Sequence, residues 1–169
     1  ALQSRKARVG VVGLGYVGLP LALAFSRKGF PVTGIDVDSQ RIEKIRRGKS
    51  YIEDIPSAEL RRAVKSARLR ATETYESLPE LDVIIVCVPT PLNRVKDPDL
   101  SYILAVTEAV AKSLRPGQLV ILESTTYPGT TEEVVLPALE KSGLKAGEDF
   151  FLCFSPERID PGNKKFPLH

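Results

Sequence analysis

Short apolar runs rich in valine and isoleucine recur along the chain, and longer stretches with helical periodicity separate them. A strand that is apolar at nearly every position is buried on both faces, as strands of parallel sheets are. Alternation of such strands with helices predicts βαβ units. We therefore expect an α/β fold with a doubly wound, mostly parallel sheet of about six strands and helices on both faces. The predicted strands are residues 7–13, 30–36, 68–71, 81–89, 118–122 and 149–156.

Helix ends are predicted from capping residues and prolines. Ser39 and Asp99 each precede a stretch with helical spacing and are expected to cap it. Thr130 or Thr131 is expected to cap the helix that begins after ESTTYPG. Pro137 lies beyond the first turn of that helix, so a kink is expected there.

Composition excludes several classes of protein. The chain has 169 residues, which corresponds to about one domain, and its net charge of +3 with 43% hydrophobic residues is typical of a globular protein. No apolar run approaches the roughly 20 residues that cross a bilayer, and the first ten residues contain no hydrophobic signal stretch. We therefore expect a cytoplasmic protein with no membrane partner. The basic residues are spread along helical faces without interleaved aromatic residues, which argues against nucleic acid.

The cysteines and the single histidine predict neither a disulfide nor a metal site. Cys87 and Cys153 lie inside apolar segments, so we expect two buried strand thiols in a reducing compartment. One histidine without clustered ligands argues against a bound metal.

Residues 13–18, GLGYVG, match the pattern G-x-G-x-x-G between a predicted strand and a predicted helix. Gly13 permits a tight turn, Gly15 leaves room for a pyrophosphate beside the backbone, and Gly18 allows close packing of helix and strand. N–H groups at the start of the helix would then bind the phosphates. Asp36 closes the next strand roughly 20 residues on, as the dinucleotide fingerprint requires. This context predicts a Rossmann fold that binds NAD.

The carboxylate of Asp36 predicts which dinucleotide is bound. It would accept hydrogen bonds from the ribose hydroxyls and repel a 2′-phosphate, which favours NAD over NADP. A tight turn with no ligand is the alternative. Gly48-Lys49-Ser50 resembles the end of a P-loop, but Glu43 stands where that motif requires glycine, so nucleotide triphosphate hydrolysis is not expected.

Polar residues also follow the later strands. Thr90 and Thr125 come directly after two apolar runs, and Glu157 and Arg158 follow the last one. Ligands of doubly wound sheets collect at the carboxyl ends of the strands, so these side chains are candidates for the site. Each threonine is alternatively a turn former. Glu157 is either a general base near the nicotinamide or a partner in a surface salt bridge.

The segments GLGYVGLP, GIDVD, CVPTP, ESTTYPGTT and FSPERIDPGN together resemble the amino-terminal domain of the UDP-glucose/GDP-mannose dehydrogenase family, from Arg8 to the end of the chain. The resemblance implies two successive NAD-dependent oxidations of a nucleotide sugar, from the C6 alcohol to a carboxylate, through a cysteine-bound thiohemiacetal and thioester. It also implies a homo-oligomeric full-length enzyme. SPERIDPGN is more similar to the branch that acts on UDP-N-acetylhexosamines than to the UDP-glucose branch.

The resemblance also implies roles for individual residues. Thr125 and Glu157 would be catalytic, with Glu157 assisting water in thioester hydrolysis, while Arg158 and Ile159 would bind the nucleotide sugar. The nucleophilic cysteine of the family lies in a GGxCxPKD segment that this chain does not contain. The residues implied in NAD binding, beside the three motif glycines, are Tyr16, Val17, Asp36, Arg41, Thr90 and Thr125.

We expect three regions along the chain. Residues 1–7 would be a disordered arm or an expression remnant, residues 8–155 the Rossmann domain, and residues 156–169 the start of a connection to a central substrate domain. Such a chain would bind NAD without turnover. Alternatives are a UDP-glucose or UDP-N-acetylmannosamine dehydrogenase, another two-domain Rossmann dehydrogenase, or a non-catalytic NAD-binding module.

Overall fold

Six strands form a single parallel sheet in the computed structural model, which describes residues 3–92 and 98–156. The strand order is β3-β2-β1-β4-β5-β6, so the chain crosses from one half of the sheet to the other between β3 and β4. This arrangement confirms the doubly wound α/β fold, and every strand pair is parallel. The strands are β1 (Val9–Val12), β2 (Val32–Ile35), β3 (Leu69–Thr72), β4 (Val83–Val86), β5 (Leu119–Leu122) and β6 (Phe151–Phe154).

Strands β1 and β4 are buried at every position because helices cover both faces of the centre of the sheet. Alternate residues of each strand therefore enter two separate cores. Three helices cover one face, and two helices with a 3-10 turn at Leu78–Glu80 cover the other. The helices are α1 (Gly18–Arg27), α2 (Ser39–Arg46) and α3 (Ser57–Lys65) on the first face, and α4 (Ser101–Ala111) and α5 (Leu136–Glu140) on the second.

The predicted caps of α2 and α4 differ from the structure. Asp38, not Ser39, caps α2, and its carboxylate accepts hydrogen bonds from the N–H groups of Gln40 and Arg41. A carboxylate one residue earlier reaches the free N–H groups of the first turn, so Ser39 becomes the first helical residue. The N-cap position of α4 is Leu100, not Asp99. Asp99 lies one residue earlier, and its carboxylate still accepts from the Ser101 N–H at 2.9 Å.

The helix around Pro137 is irregular. A π-helical segment, Thr130–Val135, precedes α5 and starts at Gly129 in the left-handed region, so neither predicted threonine is the cap. The Thr130 hydroxyl donates instead to the Tyr127 carbonyl at 2.8 Å. The change to α-helix lies next to Pro137, which has no N–H to donate and whose ring would crowd a regular preceding turn.

The prediction of two buried thiols is right for Cys87 and wrong for Cys153, which is exposed. Cys153 lies opposite Ile121 on β6, at the edge of the sheet. Helix α1 packs on β1 and β2, and its face of the sheet is left uncovered at β6. The continuous apolar run therefore predicts β6 correctly but does not predict that its side chains are buried.

At the amino end, residues 3–5 form a turn and Ala7 is buried. Within the described ranges, no helix is long and apolar enough to cross a membrane.

Candidate dinucleotide site

A cleft of about 550 Å³ opens at the carboxyl ends of the strands, where the chain reverses its direction across the sheet. The glycine loop after β1, the end of β2, and the loops after β4 and β5 form its walls. The cleft brings together most of the residues predicted to bind NAD: Gly13, Gly15, Tyr16, Val17, Asp36, Arg41, Thr90 and Thr125.

The three motif glycines meet different surroundings. Gly13 has φ +91°, and a side chain there would bring Cβ within 2.6 Å of the Cys87 carbonyl oxygen. At Gly18, which does not line the cleft, Cβ would lie 1.8 Å from the Gly13 carbonyl oxygen. At Gly15, by contrast, Cβ would meet no protein atom within 4 Å. Protein packing therefore requires glycine at two of the positions, and the open space at Gly15 is where a ligand can approach the backbone.

Asp36 connects the glycine loop to the start of α2. Its carboxylate is buried, with 5% exposure. One oxygen accepts from the Leu14 N–H at 2.7 Å and from Nη1 of Arg41 at 3.2 Å, and the other accepts from the Asp38 N–H at 2.9 Å. These donors satisfy a charge that would be costly to bury unpaired.

Arg41 lies between two carboxylates. It pairs with Asp36 and, through Nε at 3.4 Å, with Asp38. One guanidinium facing two carboxylates leaves a net negative charge at this end of the cleft. That charge disfavours a phosphate on the adenosine ribose.

Tyr75 and Tyr102 also line the cleft, and our sequence analysis missed both. Burial and then the negative charge of Asp36 raise the pKa of Tyr75, which keeps the phenol neutral. Tyr75 follows β3, whose carboxyl end points to the same edge of the sheet as the other site loops. The position of Tyr75 after a strand could therefore have identified it as a site residue. However, β3 mixes polar and apolar residues and has the weakest strand pattern in the sequence.

The loops after β4 and β5 are joined to each other. The Thr90 hydroxyl donates to the Thr125 carbonyl, and the buried Ser124 hydroxyl donates to the Val88 carbonyl at 2.8 Å. These bonds place Thr90 and Thr125 side by side at the mouth of the cleft. The Thr90 hydroxyl therefore has a structural contact as well as a place in the site.

Glu157, Arg158 and Ile159 lie outside the described residues. Strand β6 ends at Phe154, and the Ser155 N–H donates to the Leu122 carbonyl at 2.9 Å. The roles that the resemblance implies for Glu157, Arg158 and Ile159 therefore remain predictions.

The described residues fit a dinucleotide. Gly15 offers open backbone, its N–H has no acceptor within the described ranges, and it lies just before the positive end of α1. A buried carboxylate stands at the end of β2, where a ribose would lie. Fold and site together define a Rossmann dinucleotide-binding domain.

Comparison with known proteins identifies the family. Residues 7–167 match the model of the UDP-glucose/GDP-mannose dehydrogenase family, NAD binding domain. The chain belongs to this family and is its NAD-binding domain, which confirms the resemblance and the cofactor inferred from the sequence.

Individual relatives agree with this assignment. The chain is 46% identical over 159 residues to UDP-N-acetyl-D-glucosamine 6-dehydrogenase of Pseudomonas aeruginosa, a match that covers 94% of this chain and 37% of the relative. The solved UDP-D-ManNAc dehydrogenase of Pyrococcus horikoshii superimposes with a TM-score of 0.87 at 42% identity, covering 92% of this chain and 37% of that one. A ternary complex of GDP-mannose dehydrogenase from Pseudomonas aeruginosa also has a TM-score of 0.87, at 36% identity, over 91% of this chain and 37% of that one. The chain thus spans little more than a third of the length of these relatives.

Proposed function

We propose that this chain is the cofactor-holding part of a nucleotide-sugar 6-dehydrogenase that oxidises the C6 alcohol of a UDP-N-acetylhexosamine to a carboxylate. The observation that carries the proposal is the cleft, which an open Gly15 and a buried Asp36 line together. UDP-N-acetyl-D-glucosamine is the favoured substrate, because the relative of that name is 46% identical. UDP-N-acetyl-D-mannosamine is the second candidate, supported by a relative at 41% identity.

Each part of the cleft has its own task in this proposal. Gly15 admits the pyrophosphate to the backbone, and Asp36 accepts from the adenosine ribose while Arg41 flanks it. Tyr16 and Val17 line the loop, and Thr90 and Thr125 hold the nicotinamide end. When bound, NAD supplies the hydride acceptor for both oxidations. The chain's main contribution is therefore to orient NAD relative to the nucleotide sugar. Orientation lowers the activation barrier although the protein itself takes no part in the hydride transfer.

Catalysis also needs groups that act on the nucleotide sugar. We infer that Thr125 and Glu157 take part in catalysis, that Glu157 assists the water that hydrolyses a thioester, and that Arg158 and Ile159 bind the nucleotide sugar. Cys87 is buried beneath the glycine loop. Cys153 is exposed as a residue, but partial desolvation of its thiol raises the pKa. A protonated or buried thiol is a poor nucleophile, so we place the attacking cysteine outside this chain.

We further infer that the full-length protein is a cytoplasmic homo-oligomer, with residues 8–155 as its Rossmann domain and residues 156–169 as the connection to a substrate domain. Two cysteines without a disulfide are consistent with a reducing compartment.

Calorimetry with NAD and NADP tests the cofactor site. The wild-type chain is expected to bind NAD at least about tenfold more tightly than NADP, because of the carboxylates at the ribose end. Asp36→Asn removes the charge and keeps one acceptor, so it should narrow this preference. Its NH2 group then faces one of the two N–H donors, from Leu14 or from Asp38, so the melting temperature should also fall. Asp36→Ala also removes the acceptor, and should weaken NAD binding and lower the melting temperature. Equal affinity of the wild type for both dinucleotides would overturn the role given to Asp36.

A further inference from the structure

Tyr51 contacts the glycine loop from outside the cleft. Its hydroxyl donates a hydrogen bond to the carbonyl of Leu14, 37 residues earlier in the chain. The ring is half-buried against the core formed by α1 to α3, and it does not line the cleft. Burial, and then the charge of Asp36, raise the pKa of Tyr51, so the phenol stays a hydrogen-bond donor across the physiological range.

Leu14 is held on three sides. Its N–H donates to Asp36, its carbonyl accepts from Tyr51, and its fully buried side chain packs on Gly34 of β2. A Cβ at Gly34 would lie 2.9 Å from the Leu14 methyl carbons, so this packing leaves no slack. The peptide that joins Leu14 to Gly15 therefore has one orientation.

A trans peptide directs its C=O and N–H in opposite senses, and the described residues contain no cis peptide. The Leu14 carbonyl points to Tyr51, outside the cleft lining, while Gly15 lies in that lining. The Gly15 N–H therefore points away from Tyr51, on the side where a pyrophosphate would approach.

We propose that Tyr51 is a positioning residue for the cofactor: by holding the Leu14 carbonyl, its hydroxyl turns the Gly15 N–H toward the pyrophosphate. The inference rests on the proposed function, since it requires a dinucleotide in the cleft. A loop whose donor already points at the ligand does not have to be reoriented on binding, and binding is correspondingly tighter.

Tyr51→Phe removes the hydroxyl and keeps the ring, so it tests the proposal directly. Calorimetry should show that the affinity for NAD and for ADP falls about 3- to 10-fold, the value of one hydrogen bond. The affinity for adenosine, which has no phosphate, should stay unchanged when measured by NMR titration. Tyr127→Phe is the matched control, because Tyr127 is an exposed tyrosine outside the cleft lining, and it should bind all three as the wild type does.

The outcomes separate this proposal from the proposed function. A wild-type chain that does not bind NAD overturns both. A wild type that binds NAD, with a Tyr51→Phe variant that binds it equally well, overturns only the role of Tyr51. An equal loss of affinity for adenosine and for ADP also overturns the role of Tyr51, because a merely structural defect weakens the binding of every ligand alike.

A measurement on the wild type covers the case in which Tyr51→Phe does not fold. The Gly15 amide proton should shift downfield in an NMR titration with ADP and remain in place with adenosine. An unchanged Gly15 amide at saturating ADP would overturn the proposal.

Discussion

Glycine is needed at positions 15 and 18 for two different physical reasons. A methyl group at Gly18 would lie 1.8 Å from a backbone oxygen, whereas one at Gly15 would meet nothing within 4 Å. Gly15→Ala is therefore expected to leave the melting temperature within about 2 °C of the wild type and to lower NAD affinity at least about tenfold. Gly18→Ala is expected to cost more than about 3 kcal/mol of unfolding free energy, because backbone has to move.

Thermal melting and calorimetry on both variants check this contrast. Gly143→Ala is unsuitable as a control, since Gly143 has φ +86° and any side chain there is strained. Ala146→Gly, at a half-buried loop position away from the cleft, provides a glycine–alanine exchange that should have no effect on NAD binding. Retention of full NAD affinity by Gly15→Ala would contradict the function given to that position.

At the scale of single elements, Gln118 connects the start of β5 to the 3-10 turn. Its fully buried side chain donates to the carbonyls of Leu78 and Leu81, at 3.0 and 2.7 Å, and accepts from the Arg115 N–H at 2.8 Å. Gln118→Met keeps the shape but removes these three hydrogen bonds. The Leu78 and Leu81 carbonyls still accept from the Leu81 N–H and from Nη2 of Arg115, whereas the Arg115 N–H loses its acceptor, so we expect a loss of about 1–3 kcal/mol in urea unfolding. NAD affinity should not change, because Gln118 lies at the opposite end of β5 from the cleft. A loss of unfolding free energy below about 1 kcal/mol would contradict this prediction and would show that water replaces the hydrogen bonds of the Gln118 amide.

Asp82, which precedes β4, couples the stability of the same region to pH. Burial acts to raise its pKa, but hydrogen bonds from the Arg8 N–H at 2.8 Å and from Arg115 at 2.9 Å outweigh it and hold the pKa below its usual value of 3.8. The stabilisation is therefore complete above about pH 3.8 and is lost as the pH falls through the lower folded-state pKa.

Unfolding by urea at pH 7 and pH 3 measures this coupling. Asp82→Asn should lower the unfolding free energy at pH 7 by about 1 kcal/mol, since the pair is partly exposed to solvent. The difference between variant and wild type should shrink at pH 3. Glu76→Gln, at a position where no ion pair is formed within the described ranges, supplies the comparison for the general loss of a carboxylate. A difference that is the same at both pH values would exclude Asp82 as the titrating group.

Helices and strands with a strong sequence pattern were predictable. The exact cap residues and the surroundings of single side chains were not, because neighbouring residues compete for one position or because the position in the sheet decides. Five of the six strands were predicted because each is a run of mainly apolar residues, and the doubly wound class followed from their alternation with helices. Strand β3, with the sequence LRAT, had the weakest pattern. The cap of α2 was misplaced by one residue because Asp38 and Ser39 are both good capping residues and only geometry selects between them. The exposure of Cys153 and the presence of Tyr75 in the cleft depend on where β6 and β3 lie in the sheet, which a local pattern does not contain.

At the scale of the whole molecule, the chain covers 37% of the length of its relative from Pseudomonas aeruginosa, and the described residues form a cofactor site without an activated thiol. We expect the purified chain to bind NAD and to produce no NADH with UDP-N-acetyl-D-glucosamine. Absorbance at the NADH band, with calorimetry under the same conditions as the positive control, measures both properties. Steady NADH production would refute the placement of the nucleophile outside the chain.

The position of Asp36 has a practical consequence for coenzyme engineering. A protein engineer who wishes to convert such an enzyme to NADP would first replace this carboxylate. Here the same side chain anchors the Leu14 N–H and the Asp38 N–H, so the exchange would loosen two backbone segments together with the charge. A coenzyme switch in this scaffold therefore has to begin at Asp38 and Val37, whose side chains are more exposed, and leave the buried anchor in place.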